Sequence, residues 1–294
     1  MLLPKFQFSE PGSLDEACRL LADAGDRAAV IAGGTDLLVK MKQGRLKPEL
    51  VVSIARLRKG EPPVDADNGT LRIRPLATMT ELGSHPGLRG TFRSIAEGAL
   101  AVGSPQIRNL ATVGGNLVSA RPCADSAPPL LCWDAGLQLA SRKGIRTVAL
   151  KDFILKPGKT VMRPDEIMVS IDVERPREPA GGAFLKLIRR ATLEITIVSA
   201  AASLLLDKPG GSVTVARVAL GSVAPVPLSA RKAEGILEGE PASGALFEKA
   251  AAAAAAEAVP IDDLRGSASY RREMVEVLVR RALSLSLSRA GGGQ

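Results

Sequence analysis

The chain has 294 residues, is 46% hydrophobic and only 3% aromatic, and carries a formal charge of +8. That apolar content fills two or three domains of ordinary size and excludes disorder for the bulk of the chain. Lys and Arg are scattered, without basic runs or aromatic stacking platforms, which argues against nucleic acid and for docking on an acidic protein or attraction of an anionic ligand.

Cys18, Cys123 and Cys132 show no C-x-x-C spacing, and His85 is the one histidine. This inventory supplies no zinc site, no iron–sulfur cluster and no Ser-His-Asp or Cys-His engine, so neither a catalytic side chain nor a metal ligand is assigned. His85, before Pro86, reads as a surface loop residue. Unpaired thiols, a Met-Leu-Leu-Pro-Lys start without a signal h-region, and the lack of an apolar run long enough to span a bilayer lead to the expectation of a cytoplasmic protein.

In chain order, Ser13 and Glu16 form an S-x-x-E capping box, followed by a helix with Leu14, Ala17, Cys18 and Leu21 on one face and a stop at Gly25. Val30 to Ala32 read as a buried strand that breaks at Gly33-Gly34 and restarts at Thr35-Asp36 as a helix carrying Leu37, Leu38 and Met41. Such a turn suits an anion: glycines admit close backbone approach, and the free N–H groups of a helix start favour negative charge. The alternative is a tight turn with no ligand. Leu50 to Ile54 form another strand.

Glu61 to Pro63 and Asp65 to Gly69 are turn material, Thr70 to Leu76 alternate as a half-buried strand, and Phe92 to Ala101 form a helix ending at Gly103. Thr112-Val-Gly-Gly-Asn116 then repeats the glycine-pair pattern, with a hydroxyl and an amide at its ends. Two such pairs suit a ligand with two phosphates, and a branched side chain at Gly33 or Gly115 would fill the space those phosphates need. Asp125 reads as the N-cap of a helix through Leu130, Leu131 and Trp133. A hairpin at Arg142-Lys143-Gly144 and a strand at Ile167 to Val173 follow. Glu174 to Gly182, rich in Pro, Gly and charge, marks a boundary. Beyond it lie apolar stretches at 183–188, interrupted by Lys186, 195–206 and 213–220 and helix candidates at 229–238, 243–258 and 268–288, with a frayed tail at Gly291 to Gln294. No G-x-G-x-x-G and no P-loop occurs.

Ala32-Gly-Gly-Thr-Asp36, Gln106-Ile-Arg-Asn109, Thr112-Val-Gly-Gly-Asn116, the Asp125 segment, Asp165-Glu-Ile-Met168 and Phe184-Leu-Lys186, in this order, resemble the FAD-binding (medium) subunit of the molybdenum hydroxylases, such as carbon monoxide dehydrogenase and xanthine dehydrogenase. The resemblance spans nearly the whole chain. It implies an α+β fold of the vanillyl-alcohol-oxidase (PCMH-like) type: FAD-binding subdomains at 1–55 and 56–175, and a C-terminal α+β domain with an antiparallel sheet and helices at 183–290.

By the same resemblance, FAD is bound non-covalently. Ala32, Gly33, Gly34, Thr35 and Asp36, with Thr112, Gly114, Gly115 and Asn116, would hold its pyrophosphate and adjoining parts. Asp125 would bond the ribityl or flavin region, Met168 would lie beside the isoalloxazine, Val102 would make an apolar contact, and Lys186 would sit at the polar flavin edge, where its truncation should tune the flavin and spare the fold. Some relatives carry His-Ser where this chain has Thr35-Asp36, so the Asp36 carboxylate is expected to cap backbone amides. Molybdopterin and two [2Fe–2S] clusters would reside in a large and a small partner subunit, in a dimer of heterotrimers that reduces NAD, a quinone or oxygen. The alternatives are a stand-alone flavin oxidase or reductase, for which no substrate base is evident, and a flavin-free scaffold, which would not need the glycine pairs.

Overall fold

The structure is a computed structural model describing residues 2–58, 60–67, 69–176, 179–190 and 194–291. Its strands assemble into three main sheets, each with its own share of core.

The first sheet is parallel. It takes β1 (Gln7–Ser9), β2 (Ala28–Ile31) and β3 (Leu50–Ser53) in the order β1-β3-β2. Helix α1 (Leu14–Ala24) returns the chain from β1 to β2, and α2 (Leu37–Lys42) from β2 to β3. Ser13 accepts the Glu16 N–H as expected, but Glu16 reaches back to the N–H of Gly12 and not of Ser13. Ala17, Cys18 and Leu21 of α1 pack with Val52, Ile54 and Ile167.

The second sheet is antiparallel, built from β4 (Val64–Asp67), β5 (Thr70–Ile73), β6 (Gly136–Ser141), β7 (Gly144–Ala149) and β10 (Ile167–Glu174) in the order β4-β5-β10-β6-β7. Between β5 and β6 run α3 (Met79–Ser84), α4 (Arg93–Leu100), α5 (Pro105–Arg108), α6 (Val113–Val118) and α7 (Ala127–Cys132), and a small hairpin, β8 (Ile154–Lys156) with β9 (Lys159–Thr160), precedes β10. Val64 to Asp67, expected largely as turn, instead pair with Ile73 to Thr70, because Val64 can bury beside Ile73 while Asp65 is exposed. β1 and α3 were not anticipated. The latter starts on a full Thr78–Glu81 capping box.

The third sheet is antiparallel, in the order of β11 (Ala180–Leu187), β12 (Val198–Leu206), β13 (Val213–Gly221) and β14 (Leu228–Ser229), and is backed by α8 (Arg231–Leu237), α9 (Gly244–Glu257) and α10 (Ala268–Ala290). Ala183, Ala200, Ala202 and Leu204 meet the alanines of α9 and the Val275, Val279 and Leu283 stripe of α10. The opposite face contributes Phe184, Ala201 and Ala219 to the core of the second sheet, where Phe92 and Trp133 stack edge-on at 5.0 Å. Gly181 and Gly182, read as linker, are buried in β11 against α10 and Trp133. Arg177 and Glu178 of that stretch, Asn68 of the turn expected at Asp65 to Gly69 and the last three residues of the tail lie outside the described residues.

Candidate functional site

A groove of about 490 Å³ opens between the first and second sheets. Of the residues expected to bind a cofactor, Ala32, Gly33, Gly34, Thr35, Asp36, Val102, Thr112, Gly114, Gly115, Asn116 and Met168 all line it; Asp125 and Lys186 do not.

The two glycine pairs do different work. After β2 the chain turns at Gly34, whose φ of 71° is left-handed, and enters α2 with Asp36 at the N-cap. Among the described residues no acceptor faces the N–H groups of Gly33, Gly34, Thr35 and Asp36, so four donors border the groove unspent. Gly33 itself is required by packing: a Cβ there would overlap the carbonyl of Leu110, so the first unit presses backbone to backbone on the second.

The second pair is already satisfied. Thr112 caps α6, its hydroxyl accepting the Gly115 N–H at 3.1 Å, and the Gly114 N–H donates to Pro75 O at 2.9 Å. A Cβ on Gly114 would lie 2.6 Å from that of Pro75, and one on Gly115 2.9 Å from the Thr112 hydroxyl. This stretch therefore offers shape and the Asn116 amide, whose oxygen accepts from Ser126 at 2.6 Å and whose nitrogen is free among the described residues. The two stretches thus differ: among the described residues the open backbone donors are at 33–36.

Asp36 makes no side-chain cap. Its carboxylate instead meets the Arg121 guanidinium at 2.7 Å, with the two side chains 34% and 45% exposed. Arg121 follows the wholly buried Ala120, held at φ 48°, a left-handed conformation that costs a non-glycine residue about 1–2 kcal/mol.

Met168 enters the groove at a register shift between β10 and β6, a bulge that re-aims a side chain beside a site. It also borders an adjoining chamber of about 260 Å³, lined among others by Leu14, Ile54, Leu57 and Pro75. Next to it Glu166, buried, accepts from Arg146 at 2.6 and 2.9 Å and from the Arg163 N–H at 2.7 Å. Burial opposes its ionisation, but these bonds prevail and hold its carboxyl below the usual range.

Asp125 is not the N-cap of α7; Ser126 occupies that position. The Asp125 carboxylate is 94% or more withdrawn from solvent as a side chain, and takes the Lys186 ammonium at 2.7 Å and the Thr196 hydroxyl at 2.6 Å. Lys186 also donates to Ala101 O at 2.8 Å, so β11 is tied to the segments after α4 and before α7. Burial pushes the Asp125 carboxyl up, and Lys186 and Thr196 offset part of that. A lysine so enclosed ties these segments together, which argues against the expectation that its loss would leave stability close to unchanged.

His85 lies outside the groove, its Nδ1 accepting the Gly87 N–H at 3.1 Å. Burial pushes up the thiols of Cys18, Cys123 and Cys132, so none is a ready nucleophile. Sequence reasoning missed Arg121, Arg146 and Thr196. Only Arg121, directly after the Asn116 helix, carried a usable signal, a cation close to a proposed anion site.

Unspent backbone donors at one turn of a part-apolar groove suit a protein that holds a phosphate-bearing cofactor. Residues 4–176 match the family model for the FAD binding domain in molybdopterin dehydrogenase, and residues 183–285 that for the CO dehydrogenase flavoprotein C-terminal domain. The chain is 32% identical to the nicotinate dehydrogenase FAD-subunit of Eubacterium barkeri, over 98% of each chain. It is 30% identical to the xanthine dehydrogenase FAD-binding subunit of Escherichia coli O157:H7, over 97% of each. A solved structure of carbon monoxide dehydrogenase from Hydrogenophaga pseudoflava superposes with a TM-score of 0.91 at 33% identity, over 98% of this chain and 99% of that one. The chain belongs to the FAD-binding family of the molybdopterin dehydrogenases. Its fold is the α+β arrangement of that family, its cofactor is FAD, and it is a subunit of an oxidoreductase.

Proposed function

We propose that this chain is the flavin-carrying electron-transfer subunit of a molybdenum-containing hydroxylase. It works with a small [2Fe–2S] subunit and a large molybdopterin subunit, duplicated as a dimer of heterotrimers in the cytoplasm. Residues 1–55 and 56–175 clasp the cofactor, and 183–290 form the C-terminal domain.

The observation that carries this reading is the row of N–H groups at Gly33 to Asp36, unspent among the described residues, beside the groove; among the described residues no His, Cys, Asp and Glu group is placed to hold a metal ion. Those N–H groups, with the Asn116 amide, take the FAD pyrophosphate; Val102 and Met168 give apolar contact to its ring systems. Asp125 and Lys186 fix the segments around Ala101 and Asp125 that border the flavin end. Bound FAD supplies the one- and two-electron chemistry by which electrons arriving singly leave as a pair. The chain's own residues orient it and exclude water around it. The final acceptor is NAD, a quinone or oxygen, and the organic substrate is chosen in the molybdenum subunit, as the different substrates named for the relatives suggest.

The test is to purify the native complex through a tag on this chain and assay flavin, iron, sulfide and molybdenum. The reading expects one FAD per chain with two further subunits carrying the metals. A flavin-bearing chain that purifies alone from its own host would contradict it.

A further inference from the structure

Asp36 lines the groove where a cofactor's anion would be received, and its ion-pair partner Arg121, which stands just outside the lining, follows a strained alanine. Asp36 supplies the last of the four unspent donors, and its carboxylate alone would repel any phosphate bound there. Arg121 comes from the opposite wall, beyond Asn116 and Ser119, both of which line the groove. The left-handed Ala120 is what turns the chain at this point: its N–H donates to Leu117 O and its carbonyl accepts from Gly158, leaving Arg121 directed across to Asp36. A buried alanine held at positive φ is retained only where its neighbours over-determine it, which is a mark of functional sites. Among the described residues Asp36 is the one polar partner of Arg121, so most of its five donors remain free.

We infer that Arg121 is a cofactor-positioning residue: Asp36, which lines the groove, holds its guanidinium at the groove's edge, and its remaining N–H groups bind the pyrophosphate of FAD. The inference rests on the FAD reading above. It explains how an aspartate is tolerated beside the anion, because Asp36 and Arg121 enter the site as a neutral pair in which the cation is the partner with donors to spare. A guanidinium suits the role because it can serve a carboxylate on one edge and a phosphate on the other.

The experiment is FAD binding to the flavin-stripped chain, followed by quenching of flavin fluorescence, for the wild type, Arg121→Gln and Arg121→Lys, from about 50 mM to about 1 M salt. The expected result is that Arg121→Gln binds FAD roughly ten-fold more weakly at low salt. The gap closes as salt rises, and Arg121→Lys, which keeps the charge, retains most of the salt dependence. Arg121 is half exposed, so the variants fold, and unchanged melting of the stripped proteins verifies it. A loss under about three-fold at low salt, or a loss equal at all salt concentrations, overturns the inference by reducing the pair to a clasp between the two walls. Absence of FAD binding by the wild type would instead overturn the FAD reading itself.

Discussion

Lys186→Met replaces a buried ammonium by an apolar side chain of similar length and leaves Asp125 facing the space it occupied. In the wild type the ion pair is 2.7 Å long, with both side chains under one-tenth exposed, and the same ammonium bonds Ala101 O at 2.8 Å. Removing one member of a buried pair costs roughly 3–5 kcal/mol, because the survivor is left charged without a partner. For a chain of this size that corresponds to a fall in Tm of roughly 6–20 °C. The Asp125 carboxyl is already raised by burial with Lys186 present, and without Lys186 it rises further.

The sign of the pH dependence follows. A raised folded-state pKa stabilises below the unfolded value of about 3.9, and that contribution fades as pH climbs through the folded value. The deficit of Lys186→Met is therefore greatest near neutrality and shrinks towards acid, and Asp125→Asn in the same chain recovers part of it. Differential scanning calorimetry of the flavin-stripped wild type, both single variants and the double variant gives the coupling directly. Melting of Lys186→Met within about 2 °C of the wild type at neutral pH would refute the reasoning, since an ammonium so dispensable must lie in water.

Gly33→Ala and Gly115→Ala separate packing from binding. The first drives a methyl into the Leu110 carbonyl and should lower the stability of the stripped protein by about 1–3 kcal/mol, whereas the second meets only the Thr112 hydroxyl at 2.9 Å and should melt nearer the wild type; equal losses in urea titration would contradict this. Glu166→Gln should cost roughly 1–3 kcal/mol at neutral pH. The Glu166 carboxyl is lowered in the folded state, so its contribution is present above the unfolded pKa of about 4.3 and is lost as pH falls through the folded value; a deficit that persists undiminished in acid counts against the Arg146 pair. Acid denaturation of the loaded protein should release all flavin to the supernatant, because no histidine or cysteine stands in either glycine stretch, and colour in the precipitate would mean a covalent bond.

Much of this was legible because local rules and the long-range outcome coincide. The turn at Gly33-Gly34, the hairpin at Gly144 and the three C-terminal helices each rest on spacing and turn chemistry within a few residues. β1 was not legible: Gln7–Ser9 is short and largely exposed, and is a strand only because β3 pairs with it 43 residues later. α3 was hidden by Gly83 and by His85-Pro86, which read as breakers although Thr78 and Glu81 carry a full capping box. In the site, residue identities were readable and their partners were not. Lys186 finds Asp125 across 61 residues and Gly33 finds Leu110 by tertiary contact, so the lysine expected at a flavin edge has a buried partner, and the glycine expected to admit phosphate a neighbouring backbone, that local spacing did not show.

The central claim is that this chain carries electrons for a complex and oxidises no organic substrate itself. The most direct measurement mixes the purified, FAD-loaded chain anaerobically with xanthine, nicotinate, aldehydes and carbon monoxide in a stopped-flow spectrometer and follows the yellow flavin absorbance. The account predicts no bleaching by any of them until the iron–sulfur and molybdopterin subunits are added, and rapid bleaching by the complex's own substrate thereafter. Bleaching of the isolated chain by any one of these compounds would contradict it.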